Sequence, residues 1–363
     1  MKVITLADLL EDKFDKKEKQ LNEELRYIFN AYAKDEAIIF DHLRILKKLF
    51  MLVEKKFIDL YKVRKDYEID WDKIEKVSFK EKLDIIKSFF KSINIDIDIE
   101  KLLNDGTFDI AFNDRDKLME NKSLYNKGYS GKSEHPYLII FDNDVITDSI
   151  IWVHELSHHR NLPKGMIESK TRFYLTETMA FTYEFIFIDY LEKIGFREDA
   201  TTYKYEEIIN LFKNAYHSYD ILQILILFDS FGCLSRENYE YLFGKEDYEE
   251  AINRFIELIK KRSIRQILEY SIASVLSIYL YEEYKKNPLF IKKIEELNSA
   301  LNNKSFEECL NIVGLTSFIE EGLFNETNYN KINNNLEAFN EQMIEEMKQV
   351  ELKQKKREMF PVK

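Results

Sequence analysis

Residues 150–160 read IIWVHELSHHR. In a helix, His154 and His158 fall one turn apart on a single face, so both imidazoles can close on the same small cation. Glu155 lies between them, where its carboxylate leans toward the open side of such an ion and can take a proton from bound water. This is the HExxH pattern of zinc hydrolases. Histidine is scarce, six in 363 residues, and three of the six cluster between positions 154 and 159. A purely structural pair would need partners for two buried imidazoles and an acid inside an apolar helix. The stretch therefore predicts a metal site, with Zn2+, one per chain, as the cofactor.

Catalytic zinc sites commonly take three protein ligands and leave one position for water. The run ESKTRFYLTETMAFTYEFIFIDYLEKIG begins at Glu168 and carries apolar residues at helical spacing until Gly195 stops it. Asn161, Leu162, Pro163, Lys164 and Gly165 supply the turn before it. Glu177, with eighteen residues between it and His158, suits a second helix that returns a glutamate to the metal. Glu168 competes for that role but sits close to the turn. Glu184, two turns beyond Glu177 on the same face, is the candidate for orienting a ligand imidazole. The other reading of Glu184 is a partly solvated acid on an amphipathic helix.

Nine Gly and four Pro in 363 residues, with 45% hydrophobic content, predict long helices, short connections and a sizeable core. The expected fold class is mainly α, with a small β-sheet next to the HExxH helix. The expected organisation is an N-terminal helical region over 1–104, a catalytic region over 105–345 and a polar tail over 346–363. A net charge of −12 argues against nucleic acid as a partner, because phosphate binding needs clustered base. Cys233 and Cys309 form no disulfide framework and fit a reducing compartment. The start, MKVITLADLLEDKFDKKEK, lacks a signal-peptide pattern, and runs such as Ile221–Phe228 are too short to span a membrane. A cytoplasmic protein with no membrane partner is the expectation.

Along the chain, the apolar period predicts two helices over about 5–65, one from Trp71 and Asp72 to Ile93, and a short one near 95–100. TFDIAF and YLIIF read as strands. Asn143, Asp144 and Asp148 are the possible caps for the HExxH helix. Further helices are expected over 202–218, 220–231, 235–243, 247–262 and 264–286. Others follow from Pro288 to 302, over SFEECLNIVGL up to Gly314, and over 328–356. A strand beside a zinc site can pair with an extended peptide or can simply pack the floor of the site.

Four stretches together resemble oligoendopeptidase F, in the thimet oligopeptidase-like family of zinc metallopeptidases. IIFDHLRILKKLFMLVEKKFIDLY resembles that family's helix pair, and GYSGKSEHPYLIIF its Ala-Tyr-Ser loop and following strand. WVHELSHH resembles the metal-binding core, and LTETMAFTYE the helix bearing the third ligand. LSRENYEYLFGK and EYSIASVLSIYL continue the register, so the resemblance covers about 35–345. It implies a zincin-like helical body whose channel admits short unfolded peptides. His154, His158 and Glu177 would bind zinc, Glu155 would activate water, Glu184 would accompany a ligand, and Tyr129 would bind substrate. The chain departs from the family in carrying Ser157 at the core glycine and in a shorter N-terminal lobe. On the late helix, Lys260, Gln266 and Leu268 stand where His or Tyr is expected, which leaves Tyr270 as oxyanion donor or as a core ring. Losing such a donor costs on the order of a hundredfold in rate.

Three functions follow from these observations. The first is a zinc metallopeptidase that hydrolyses short or dedicated peptides by Glu155-assisted attack of zinc-bound water. The second is a catalytically weak or inactive relative that acts as a peptide-binding module. The third is an aminopeptidase, which needs an acidic group for the substrate amine that no motif reveals.

Overall fold

A computed structural model describes residues 74–105, 107–112, 129–130, 138–160, 170–244, 248–253, 264–315 and 326–359, with positions 19, 22, 23 and 26. The helices expected over 5–65, the start at Trp71, the turn 161–165, Glu168 and much of 247–262 lie outside these residues.

Helix α1 (Phe79–Ser92) begins where the Ser78 hydroxyl accepts the Glu81 amide, and it buries Leu83, Ile86, Phe89 and Phe90 at helical spacing. The short α2 (Ile99–Asn104) is capped in the same way by Asp98. Strands β1 (Phe108–Phe112), β2 (Tyr129–Ser130) and β3 (Leu138–Asp142) form a sheet ordered β1-β3-β2. β1 runs parallel to β3 from Phe108↔Leu138 to Phe112↔Asp142, and β2 pairs antiparallel to it through Tyr129↔Ile139.

The chain then turns into α3 (Asp148–Arg160), which packs beside β3. Of the three possible caps, Asp148 is itself the first helical residue and holds the preceding loop, while the first helical amides bond the Val145, Ile146 and Thr147 carbonyls. The Asp148 carboxylate accepts from the Asn143 amide at 2.7 Å, the Asn143 side chain at 2.9 Å and the Val145 amide at 3.3 Å. Asp144 instead takes a positive φ of 59° and donates its amide to Asp142 at 2.9 Å. Lys82 of α1 is fully buried against this corner, paired with Asp142 and, at 2.9 Å, with Asp148, its ammonium 5.0 Å from the Trp152 ring centroid. One buried cation thus fastens the end of β3, the start of α3 and the flank of α1.

Helix α4 (Lys170–Ile194) is buried along most of its length and packs against α3, α5 (Arg197–Phe231) and α7 (Ile264–Lys286). α5 is continuous over 35 residues, roughly 50 Å, where the sequence suggested two helices meeting near 219. No Gly or Pro interrupts 197–231, so the backbone hydrogen bonds run on until Gly232 takes a left-handed φ of 69°. Lys204 of α5 is buried between α4 and α7, 3.2 Å from the Tyr281 hydroxyl, which donates to Asp189 at 2.7 Å. After α6 (Arg236–Phe243), a 3-10 turn (Pro288–Phe290) leads into α8 (Ile291–Ala300). α9 (Phe306–Ile312) opens with a capping box between Ser305 and Glu308.

α10 (Glu326–Met359) runs through position 346 without interruption and packs Phe339 on Phe185 and Tyr281. Residues from 74 to 99 share one hydrophobic core with α4, α5 and α7, with Phe89 edge-on to Phe187 at 4.8 Å. Asn22 bonds both backbone groups of Leu234, at 2.7 and 3.3 Å, which docks the early chain on the turn before α6. Among the described residues, no helix is long and apolar enough to cross a membrane.

Candidate metal centre

α3 presents His154 and His158 one turn apart, and their Nε2 atoms face each other at 2.9 Å. α4 crosses beside them and delivers Glu177, whose two carboxylate oxygens lie 3.3 Å from His154 Nε2 and 3.4 Å from His158 Nε2. On α4 the residues at i, i+4 and i+7 from Glu177 all surround one imidazole. Glu177 reaches its Nε2 side, the Phe181 ring stands edge-on at 5.0 Å, and Glu184 Oε1 lies 2.9 Å from its Nδ1. Glu155 is buried in the same turn as His154.

The donor set fits a zinc ion. His154, His158 and Glu177 each offer one ligand atom, and these lie within 4.8 Å of one another. Tetrahedral zinc with bonds near 2.0–2.1 Å separates its ligand atoms by about 3.3 Å, which the two imidazole–carboxylate distances match. The imidazole–imidazole distance is a few tenths shorter. Two ring nitrogens facing each other can share at most one proton, and Glu177 Oε2 makes no hydrogen bond, so the group has acceptor capacity that a bound cation would satisfy.

In the metal-free group the imidazoles and carboxylates shift one another, favouring a proton on His154. Burial by itself would lower His154, but the Glu184 carboxylate, then Glu177, raise it well above its ordinary value. Burial would raise Glu177, yet His158 and His154 hold it far below the usual carboxylate range. Glu184 is pushed up by burial and only partly offset by His154. Ser157, at the position of the family's glycine, is fully buried and satisfied by donating to the Val153 carbonyl at 2.8 Å.

Tyr270 on α7 is half-buried, its ring 5.9 Å edge-on to Phe181, the same ring that stands against His154. Tyr129 falls in β2, on the strand that flanks β3 opposite β1. His159 leaves the metal group: burial lowers it, and its acidic neighbour is Asp105 beyond α2. Arg160, at the end of α3, pairs with Glu295 of α8, which also accepts the Tyr183 hydroxyl.

Two residues near the centre were not anticipated. Glu207 and Tyr203 lie one turn apart on α5. Burial and the nearby Glu184 push Glu207 up to about 8, and burial with Glu184 and Glu207 raises Tyr203 well above its ordinary value. The available signal was an acid and a phenol at i, i+4 in the buried stretch Thr201–Ile208.

Two solved structures share this architecture. A candidate oligoendopeptidase F from Bacillus anthracis str. Ames superposes with a TM-score of 0.56 at 15% identity, over 91% of this chain and 64% of that one. A candidate peptidase from Chlamydophila abortus gives a TM-score of 0.59 at 14% identity, over 92% and 62%. The likeness establishes a mainly helical, oligoendopeptidase-like fold, and the chain spans less than two thirds of either neighbour. No protein-family model matches the sequence, and neither does any curated protein.

Proposed function

We propose that the protein is a zinc-dependent metallopeptidase that cleaves short or dedicated peptides. The observation that carries this reading is the convergence of His154 Nε2, His158 Nε2 and the Glu177 carboxylate on one point, with Glu184 behind His154. The names of the two structural neighbours add support. His154, His158 and Glu177 would hold a zinc ion, which would supply Lewis acidity and lower the pKa of a water at the open position toward neutrality. Glu155 takes that water's proton and delivers it to the leaving amine as general base and then acid. Glu184 fixes the His154 ring so that Nε2, not Nδ1, is the ligand atom. Tyr270 is the candidate donor to the developing oxyanion.

Quenched fluorogenic peptide libraries, incubated with zinc-loaded protein and with Glu155→Gln, test the reading. Cleavage by the wild type well above the variant supports it. If the two are equal on every peptide while peptides still bind, the protein is a peptide-binding module instead. A second reading is an aminopeptidase, in which Glu207, held protonated up to about pH 8 by burial and Glu184, would ionise on meeting a substrate ammonium. N-acetylation of the peptides separates the two enzymes: an aminopeptidase loses activity on blocked substrates and an endopeptidase keeps it.

A further inference from the structure

Toward the end of α7 remote from Tyr270, a cleft of about 720 Å³ opens between α7, the 3-10 turn, α8, the end of α9 and α10. That volume suits a short ligand or peptide segment. Lys286 lies sixteen residues beyond Tyr270, roughly 24 Å along the helix from it. Lys286, Lys292, Lys293 and Lys331 line it. Among the described lining residues the one carboxylate is Glu283, which already receives Lys286 at 2.8 Å and the Asn335 amide at 3.0 Å. Lys331 donates to the Gly314 carbonyl at 2.8 Å, a neutral acceptor, and Lys293 stands 5.6 Å from the Phe290 ring centroid. Among the described residues this concave patch gathers four lysines around one carboxylate, Glu283, which Lys286 and Lys331 both stabilise, and so it inverts the sign of a chain whose net charge is −12.

The lining does not make a phosphate cradle. Asn287 takes the free amides at the start of the 3-10 turn, its side chain accepting from Leu289 at 3.1 Å and its carbonyl from Phe290 at 2.8 Å. No arginine lines the described cleft. What it offers is flexible ammonium groups, side-chain amides, and Leu289, 68% exposed on a surface with few such residues. That combination suits carboxylate side chains interspersed with apolar ones.

We propose that this cleft docks an acidic, Leu-bearing stretch of a peptide. Its use as a substrate exosite rests on the peptidase reading, whereas the binding itself does not. The test uses the zinc-loaded full chain carrying Glu155→Gln. A fluorescent peptide of alternating Glu and Leu is titrated by anisotropy, beside the same peptide with Gln or Lys for Glu. The acidic peptide is expected to bind about tenfold more tightly than the Gln peptide, with affinity falling as salt rises. Replacing Lys292, Lys293 and Lys331 together by Gln should remove that advantage with no change in melting temperature, since all three are exposed.

Equal binding of the Glu and Gln peptides, or unchanged binding in the triple variant, overturns the proposal. So does tight binding of pyrophosphate at these lysines without any peptide preference, which would make the cleft a phosphate site. Absence of cleavage by the wild type would sink the peptidase reading and leave this binding intact. Loss of the charge preference would leave cleavage of neutral peptides intact.

Discussion

The two ends of α3 hold buried charges in opposite conditions. At the N-terminal end, Asp142 and Asp148 face Lys82, which arrives from α1, so the cluster carries its own cation. Toward the C-terminal end, two imidazoles and Glu177 face one another with Glu184 behind, and no lysine or arginine enters the group among the described contacts. At the N-terminal end a lysine neutralises a buried acid pair drawn from the end of β3 and the start of α3. The other end gathers two imidazoles and two carboxylates with no internal lysine or arginine among the described contacts, and it is there that the proposed zinc ion would supply the missing cation.

The contrast can be broken in several ways. The largest effect is expected from Glu155→Gln, which should lower peptide cleavage by up to about ten-thousandfold with zinc content, read by mass spectrometry, unchanged. Retained cleavage would remove Glu155 from the reaction. Next, Lys82→Met leaves two buried carboxylates without their cation and should cost about 3–5 kcal/mol in denaturant unfolding. A loss under 1 kcal/mol would mean that this end of the helix is not held by its internal cation.

Glu184→Gln should weaken zinc binding by about 10–100-fold in competition with a chelator, and the fold should survive. Unaltered affinity would relegate Glu184 to packing.

The smallest effect concerns Glu207 in the metal-free protein. With its ordinary value at 4.5 and its folded value pushed up to about 8, the folded chain keeps a proton that the unfolded chain releases across this window. This group's contribution to stability therefore falls as pH rises from 4.5 to 8. Glu207→Gln should melt like the wild type near pH 5 and higher near pH 8.5, the gap widening as pH rises from 4.5 to 8. A gap independent of pH would place Glu207 in an ordinary solvated environment.

What could be read from the sequence was what helical spacing fixes locally. His154 and His158 at i, i+4, and Glu177, Phe181 and Glu184 at i, i+4, i+7, share faces by geometry alone, so only the crossing of α3 and α4 remained to be found. Lys82 was opaque because its partners stand 60 and 66 residues away, and a lysine in an amphipathic helix ordinarily faces water. Asp148 was one of three equal cap candidates, and its carboxylate holds the preceding loop instead of the helix's first amides. His159 shared the composition signal of its neighbours, but its position, one residue past His158, turns it about 100° away. The division of α5 near 219 failed because an irregular apolar period does not stop a helix that contains no Gly or Pro.

Because Glu177, Phe181 and Glu184 grip a single ring from successive turns of α4, they behave as one mechanical part. A single residue inserted between 178 and 183 would swing Glu184 by about 100° relative to Glu177, so one of the two must abandon His154. Substitutions can adjust this grip by degrees, while changes of length within the span abolish it in one step, so the spacing of seven is the quantity that descent from a common ancestor would be least free to alter.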